Sequence, residues 1–143
     1  MNTIAELLSD FEVLDDWEDR YKHVIDLGRA LPPLPESEHT AENKVRGCAS
    51  QVWITSAASG PPGNPVLTFT GDSDALIVKG LIAIAFMIYS GKPARDILTT
   101  DAGEVLGRLG LSGHLTQQRS NGFASMIQRI KSDAQTALQA SSS

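Results

Sequence analysis

The chain has 143 residues, of which 41% are hydrophobic and 20% charged, and its formal net charge is −5. That length is most simply one domain with one real core, and the composition is ordinary for a soluble globular protein. An acidic balance without a basic stripe or an aromatic platform argues against a nucleic-acid partner, and the single cysteine excludes an internal disulfide. Nothing in that cysteine usage suggests an oxidising compartment. Met1–Glu6 lack the basic n-region and long apolar core of a signal peptide, so the cytoplasm is the expected location.

Thr3-Ile4-Ala5-Glu6 fits a capping box and predicts a short helix through about Leu8, with Ile4, Leu7, Leu8 and Phe11 on its apolar side. Asp15 or Asp16 can cap a second helix from about Trp17 to Ala30. Trp17, Tyr21, Val24, Ile25 and Gly28 share one face of it at helical spacing, and core packing is the reading of both aromatics. Gly28 weakens that helix unless another element packs closely against it. Leu31-Pro32-Pro33-Leu34-Pro35 stops the helix and runs extended, a rigid connector more than an SH3-type ligand. The loop Glu36–Asn43 then leads to Cys48.

Gly47 suits a tight turn because it adopts positive φ without a Cβ clash. Behind it Val52 and Ile54 point to one face of a strand and Trp53 to the other. Cys48 therefore sits at the mouth of a strand. A lone cysteine is ordinarily a small buried hydrophobe, but its flanks Gly47, Ala49, Ser50 and Gln51 are poor core material. Lys44 and Arg46, just upstream, are expected to favour a thiolate.

The strand at 52–57 ends in the turn Ser59-Gly60-Pro61-Pro62-Gly63-Asn64-Pro65. A second strand, Val66–Thr70, pairs with it as an antiparallel hairpin, and residues 43–47 are the candidate third strand. Gly71-Asp72-Ser73-Asp74 is expected to start a helix with Asp72 or Ser73 as N-cap. That helix, Ala75 to about Tyr89, is apolar almost all round and too short to span a bilayer, so it reads as the buried helix under the sheet. Pro93 opens another short helix through Leu98, and Asp101–Leu109 forms a further one. Thr116 caps a last helix from about Gln117 to Leu138, with Phe123, Met126, Ile127 and Ile130 as its stripe. The expected organisation is one domain over 1–140 and a disordered tail at Ser141-Ser142-Ser143.

His23, His39 and His114 lie far apart and in no ligand-spaced pair, so no metal site is expected. One cysteine cannot hold an iron–sulfur cluster within this chain, and no Walker A or dinucleotide motif is present. A Cys–His nucleophile remains open, since a fold can bring His39 or His114 to Cys48.

The run Val45-x-Gly47-Cys48-x-Ser50-Gln51-Val52-Trp53 resembles the signature of the SufE family, sulfur acceptors for cysteine desulfurases. Trp17-Glu18-x-x-Tyr21, Leu27-Gly28-x-x-Leu31-Pro32, the block Gly71–Leu81 and Arg119-Ser120-x-Gly122 extend the resemblance over nearly the whole chain. Ser50-Gln51 looks closer to SufE proper than to its CsdE relatives. The resemblance implies an α+β fold of the SufE/IscU-like kind, a small antiparallel sheet of about three strands packed against helices. It implies that Cys48 takes sulfane sulfur from a SufS-type cysteine desulfurase, stimulates that enzyme, and delivers sulfur to a SufB-containing scaffold complex. Arg46, Gly47, Ala49, Ser50, Gln51 and the Asp72–Asp74 corner, Asp74 above all, are the candidates for docking a partner or shaping the loop. The other reading of Asp72–Asp74 is simple helix capping. Arg119 is either a surface ion pair or a group that positions the loop.

Such a transfer needs one thiolate and no resolving cysteine, which would expel the sulfur and leave a disulfide. No cofactor is expected in this chain; the pyridoxal phosphate that cleaves carbon from sulfur belongs to the desulfurase. On this reading the protein is a sulfur-transfer partner and not itself an enzyme, with no membrane association, and it is a monomer or a homodimer. The competing classes are a non-catalytic interaction module with Cys48 merely packed, and a cysteine-dependent hydrolase or thiol peroxidase.

Overall fold

The structure, a computed structural model, describes residues 3–141. Helices α1 (Ile4–Val13) and α2 (Trp17–Arg29) come first, followed by a 3-10 turn at Glu36–Glu38. Strands β1 (Val52–Ser59) and β2 (Val66–Ser73) form the hairpin, and helix α3 (Leu76–Tyr89) follows. The chain continues through β3 (Lys92–Pro93), α4 (Ala94–Thr99), α5 (Ala102–Leu109), a 3-10 turn at Leu111–Gly113, and α6 (Gln117–Ser141). The sheet is antiparallel with order β1-β2-β3, so the architecture is α+β as expected.

Helix α3 is the centre of the packing. Leu81, Ile82, Ile84, Ile88 and Tyr89 are all but removed from solvent, as an all-apolar helix requires. Tyr89 keeps a polar hydroxyl inside by donating to the Thr100 carbonyl at 2.8 Å. The inner face of the sheet, with Val52, Ile54, Leu67 and Phe69, covers α3 on one side, and Phe69 stacks on Phe86 with centroids 5.9 Å apart. Helix α2 crosses on the other side at a pair of glycines. A Cβ on Gly28 would lie 2.5 Å from the Gly80 backbone nitrogen, and one on Gly80 would run into the Val24 carbonyl. Gly28 stands in the last turn of α2 because backbone meets backbone there, which offsets its low helix propensity.

Several local expectations change. Helix α1 continues past Leu8 to Val13 because α2 caps it: the Arg20 guanidinium donates to the carbonyls of Phe11 and Leu14 at 2.9 and 2.7 Å. Thr3 does accept from the Glu6 N–H at 3.2 Å, and Asp16 caps α2. Neither Asp72 nor Ser73 is an N-cap. Strand β2 runs through both, and Ala75, whose side chain cannot cap, takes the cap position while its own N–H donates to the Ser73 hydroxyl at 3.2 Å. The cross-strand register places Trp53 opposite Asp72, and that pairing outweighs the local preference for a cap.

The third strand is also elsewhere. Residues 43–45 make a short bridge with 52–54, whereas the strand beside β2 is Lys92–Pro93. Proline has no N–H to extend that ladder, and the Phe69 N–H is met instead by the Ser90 hydroxyl at 3.0 Å. Pro93 stands just before α4. Thr116 accepts from the Arg119 N–H at 3.2 Å at the start of α6. Of the expected tail, Ser141 is the last residue of α6, and Ser142 and Ser143 lie outside the described residues.

Candidate functional site

Cys48 lies on a loop whose base is locked by backbone bonds. The Val45 N–H donates to the Val52 carbonyl at 2.8 Å and the Ile54 N–H to the Asn43 carbonyl at 2.9 Å. On the exit side, the Gln51 N–H donates to the Asp74 carboxylate at 3.0 Å, and the Asp74 N–H returns to the Gln51 carbonyl at 3.3 Å. The chain between these anchors turns at Gly47, whose φ is +89°. A Cβ there would also stand 2.5 Å from the Ser125 Oγ of α6, so the position excludes a side chain twice over.

Helix α6 is the bed on which the loop rests. The Cys48 Sγ–H donates to the Gly122 carbonyl at 3.5 Å, and Ser125 underlies Gly47 one turn further on. One more turn along, Arg129 donates to the Ile54 carbonyl at 3.2 Å and to Asp133 at 3.1 Å. The helix thus holds both the loop and the strand behind it.

Cys48 is half-buried at the edge of a cleft of about 230 Å³. Its apolar floor is Ala75, Val78, Leu81 and Met126; Thr116, Gln118 and Arg119 form the polar side. Burial pushes the Cys48 thiol above its ordinary range. The expected thiolate-favouring effect of Lys44 and Arg46 is not found. Both side chains are exposed, and they line a separate cleft with Ser125 and Arg129. Adjacency in sequence is lost because the Gly47 turn separates the basic residues from the sulfur.

Of the residues singled out in the sequence, Cys48, Ala49, Ser50 and Arg119 share the first cleft. Arg46 lies in the second, and Gln51 and Asp74 close the loop from the far side. The sequence places Met126 only in the apolar stripe of the last helix and does not single out Ser125 and Arg129; the helical spacing of all three from Gly122 is the signal that finds them.

No imidazole lines the Cys48 cleft. His39 bonds to Asp72 at 2.7 Å, and His114 stacks on Trp17 with centroids 3.6 Å apart. A Cys–His pair does not form here. Among the described residues, no group of three or more His, Cys, Asp or Glu could hold a metal ion, and no helix is long and apolar enough to cross a membrane.

The fold and the site define an α+β protein that presents one sheltered thiol on a glycine turn. A family model described as "SufE: Fe-S metabolism associated domain" matches residues 5–134, and the chain belongs to the SufE family. It is 54% identical over 134 residues to an uncharacterized SufE-like protein of Rhizobium etli, covering 94% of this chain and 90% of that one. It is 52% identical over 140 residues to an uncharacterized SufE-like protein of Rhizobium meliloti, covering 98% and 100%. A solution structure of a hypothetical protein from Thermus thermophilus shares the fold, with a TM-score of 0.71, 20% identity and coverage of 95% and 96%.

Proposed function

We propose that the protein is a sulfur acceptor and carrier that takes persulfide sulfur from a SufS-type cysteine desulfurase onto Cys48. The observation that carries this reading is one thiol, half-buried on a loop seated on α6, beside a cleft with room for one more sulfur atom. The Cys48 thiolate attacks the outer sulfur of the donor's persulfide. The donor S–S bond breaks, the donor cysteine leaves as a thiolate and takes up the proton, and Cys48 becomes a persulfide. No net oxidation occurs, so no cofactor is needed in this chain.

A raised thiol pKa keeps the resting sulfur protonated and unreactive. A thiol is a weak donor, so the S–H···O contact costs little to break and the tip of the loop can swing out while its base stays paired. The exposed Arg119 guanidinium at the cleft suits an anionic persulfide. Arg46, Ala49, Gln51 and Asp74 are exposed around the loop and form the surface offered to the desulfurase, which the carrier stimulates. A SufB-containing scaffold complex is the onward acceptor, and the cytoplasm is the expected setting.

Incubation with cysteine and the desulfurase should add the mass of one sulfur atom, released as sulfide by a reductant. Cys48→Ser should bind the desulfurase yet gain nothing and lose most of the stimulation. A serine variant that stimulates as well as the native chain would make the protein an allosteric activator instead.

A further inference from the structure

His39 ends the 3-10 turn at Glu36–Glu38 and stands at the head of the arm that enters the Cys48 loop. Its ring sits on the outer face of the sheet, edge-on to Trp53, with centroids 4.6 Å apart. Nε2 lies 2.7 Å from the Asp72 carboxylate and Nδ1 lies 3.1 Å from the Pro35 carbonyl. Both partners are acceptors. A neutral imidazole has one N–H, so it can serve one of them and must turn a lone pair toward the other. The imidazolium serves both.

We propose that His39 is a positioning residue for the Cys48 loop: as a doubly protonated cation it staples the arm at residues 35–45 to strand β2 and keeps the thiol seated on α6. The arm it fixes is the one that closes the loop through Asn43 and Val45. Of the charged groups around the ring, the Asp72 carboxylate favours the cation. Asp72 faces it from β2, and the other oxygen of Asp72 takes Lys79 of α3 at 3.2 Å and the Ser73 N–H at 2.8 Å. Trp53 of β1 is uncharged, and on the ring's own segment Glu38 is occupied with Asn43 at 3.0 Å. The hydrogen bond to Asp72 raises the His39 pKa, more than burial lowers it. When the ring loses a proton it serves one acceptor only: either the Asp72 bond that ties the arm to β2 is lost, or the Pro35 bond that fixes the turn within the arm. The loop is then freer to open.

The consequence for sulfur transfer rests on the acceptor role proposed above; the staple itself does not. Two measurements on the intact chain test it. By NMR, the His39 ring should titrate with a midpoint above its ordinary 6.5. In parallel, Cys48 is alkylated with iodoacetamide in the native protein, His39→Gln and His39→Arg, and rates are compared at each pH so that thiol ionisation cancels. At about pH 6 the glutamine variant should react roughly two- to tenfold faster than native, the range of one net hydrogen bond. That ratio should fall toward one as pH rises through the ring's titration. His39→Arg, which keeps its charge and donates from several nitrogens, should match the native rate at low pH and stay protected at high pH. A midpoint at or below 6.5, or a glutamine-to-native ratio that does not change with pH, overturns the proposal. If His39→Gln fails to fold, the native titration and the arginine variant still decide. Neither readout uses a desulfurase, so failed sulfur loading with intact staple behaviour sinks the acceptor role alone.

Discussion

The sulfur of Cys48 and the backbone of Gly122 are in direct contact: Sγ–H donates to the Gly122 carbonyl at 3.5 Å, and a Cβ on Gly122 would stand 3.7 Å from Sγ. That is ordinary van der Waals distance, so alanine fits at this helical position without moving the resting thiol. Replacing a mid-helix glycine by alanine stabilises by roughly 0.5–1 kcal/mol. Gly122→Ala should therefore raise Tm. It should also narrow the space beside Sγ that a second sulfur atom would enter, and so slow persulfide loading. Thermal unfolding and intact-mass time courses check the two effects together; a variant that is more stable and loads as fast as native would show that the sulfur goes elsewhere.

The same substitution at Gly80 has the opposite sign. Its Cβ would meet the Val24 carbonyl and Cγ1, both on the facing helix α2. The helices must separate, and the propensity gain is lost in the buried interface. Gly80→Ala should lower stability by about 1–3 kcal/mol, the usual range for overpacking. Chemical denaturation of Gly80→Ala and Gly122→Ala side by side gives the contrast directly.

Phe86 is 9% exposed and stacks on Phe69, and it ties the sheet to α3. Phe86→Ala should cost about 3–5 kcal/mol, a large share of an ordinary domain's total of roughly 5–15 kcal/mol. The denaturant midpoint should fall with little change in slope.

Helix α3 could be read from the chain because nearly every one of its residues is apolar, and no solvent-facing stripe is left to place. The hairpin and the glycine turn at Cys48 were legible for similar local reasons. Strand β3 was not: Lys92-Pro93 has no strand pattern and becomes a strand only through pairing with Val66 and Leu67. The caps at Asp72 and Ser73 misled because cross-strand register is a long-range property. The state of the thiol misled in the same way. Lys44 and Arg46 are neighbours of Cys48 in sequence, but burial against α6 governs the sulfur. His39 and Asp72 stand 33 positions apart and share no motif, so their contact is a product of the fold.

The His39–Asp72 pair gives stability a defined dependence on pH. The His39 pKa is raised above 6.5, so its contribution is complete below that value and is lost as pH rises through the folded-state pKa. Burial alone would raise the Asp72 pKa, but hydrogen bonds from His39, the Ser73 N–H and Lys79 together lower it below 3.8. The Asp72 contribution is therefore complete above 3.8 and is lost as pH falls through the folded-state pKa. The pair contributes fully between the two ordinary values. Asp72→Asn should cost most stability within that window and progressively less beyond either end, as unfolding curves of native and variant across pH would show.

Gly47 and Ser125 provide the sharpest test of how the loop is presented. Two separate penalties act on any side chain at Gly47: φ is +89°, and a Cβ would lie 2.5 Å from the Ser125 Oγ. The hydroxyl is itself held, donating to the Asn121 carbonyl at 3.1 Å, so it does not yield freely. Positive φ at a non-glycine residue costs about 1–2 kcal/mol, and the steric clash adds to it. A double-mutant cycle separates the two. Ser125→Ala alone should be nearly neutral, because the hydroxyl's bond is to a carbonyl within its own helix. Gly47→Ala should slow sulfur loading markedly and reduce stability only modestly, since the loop base remains paired at Val45–Val52. Adding Ser125→Ala to Gly47→Ala should restore part of the loading rate by removing the clash, and the residual defect measures the backbone term. If the double variant is no better than Gly47→Ala, the turn alone excludes the side chain and the seat on α6 contributes nothing at this position. If Gly47→Ala loads sulfur at the native rate, the glycine turn is not what presents Cys48.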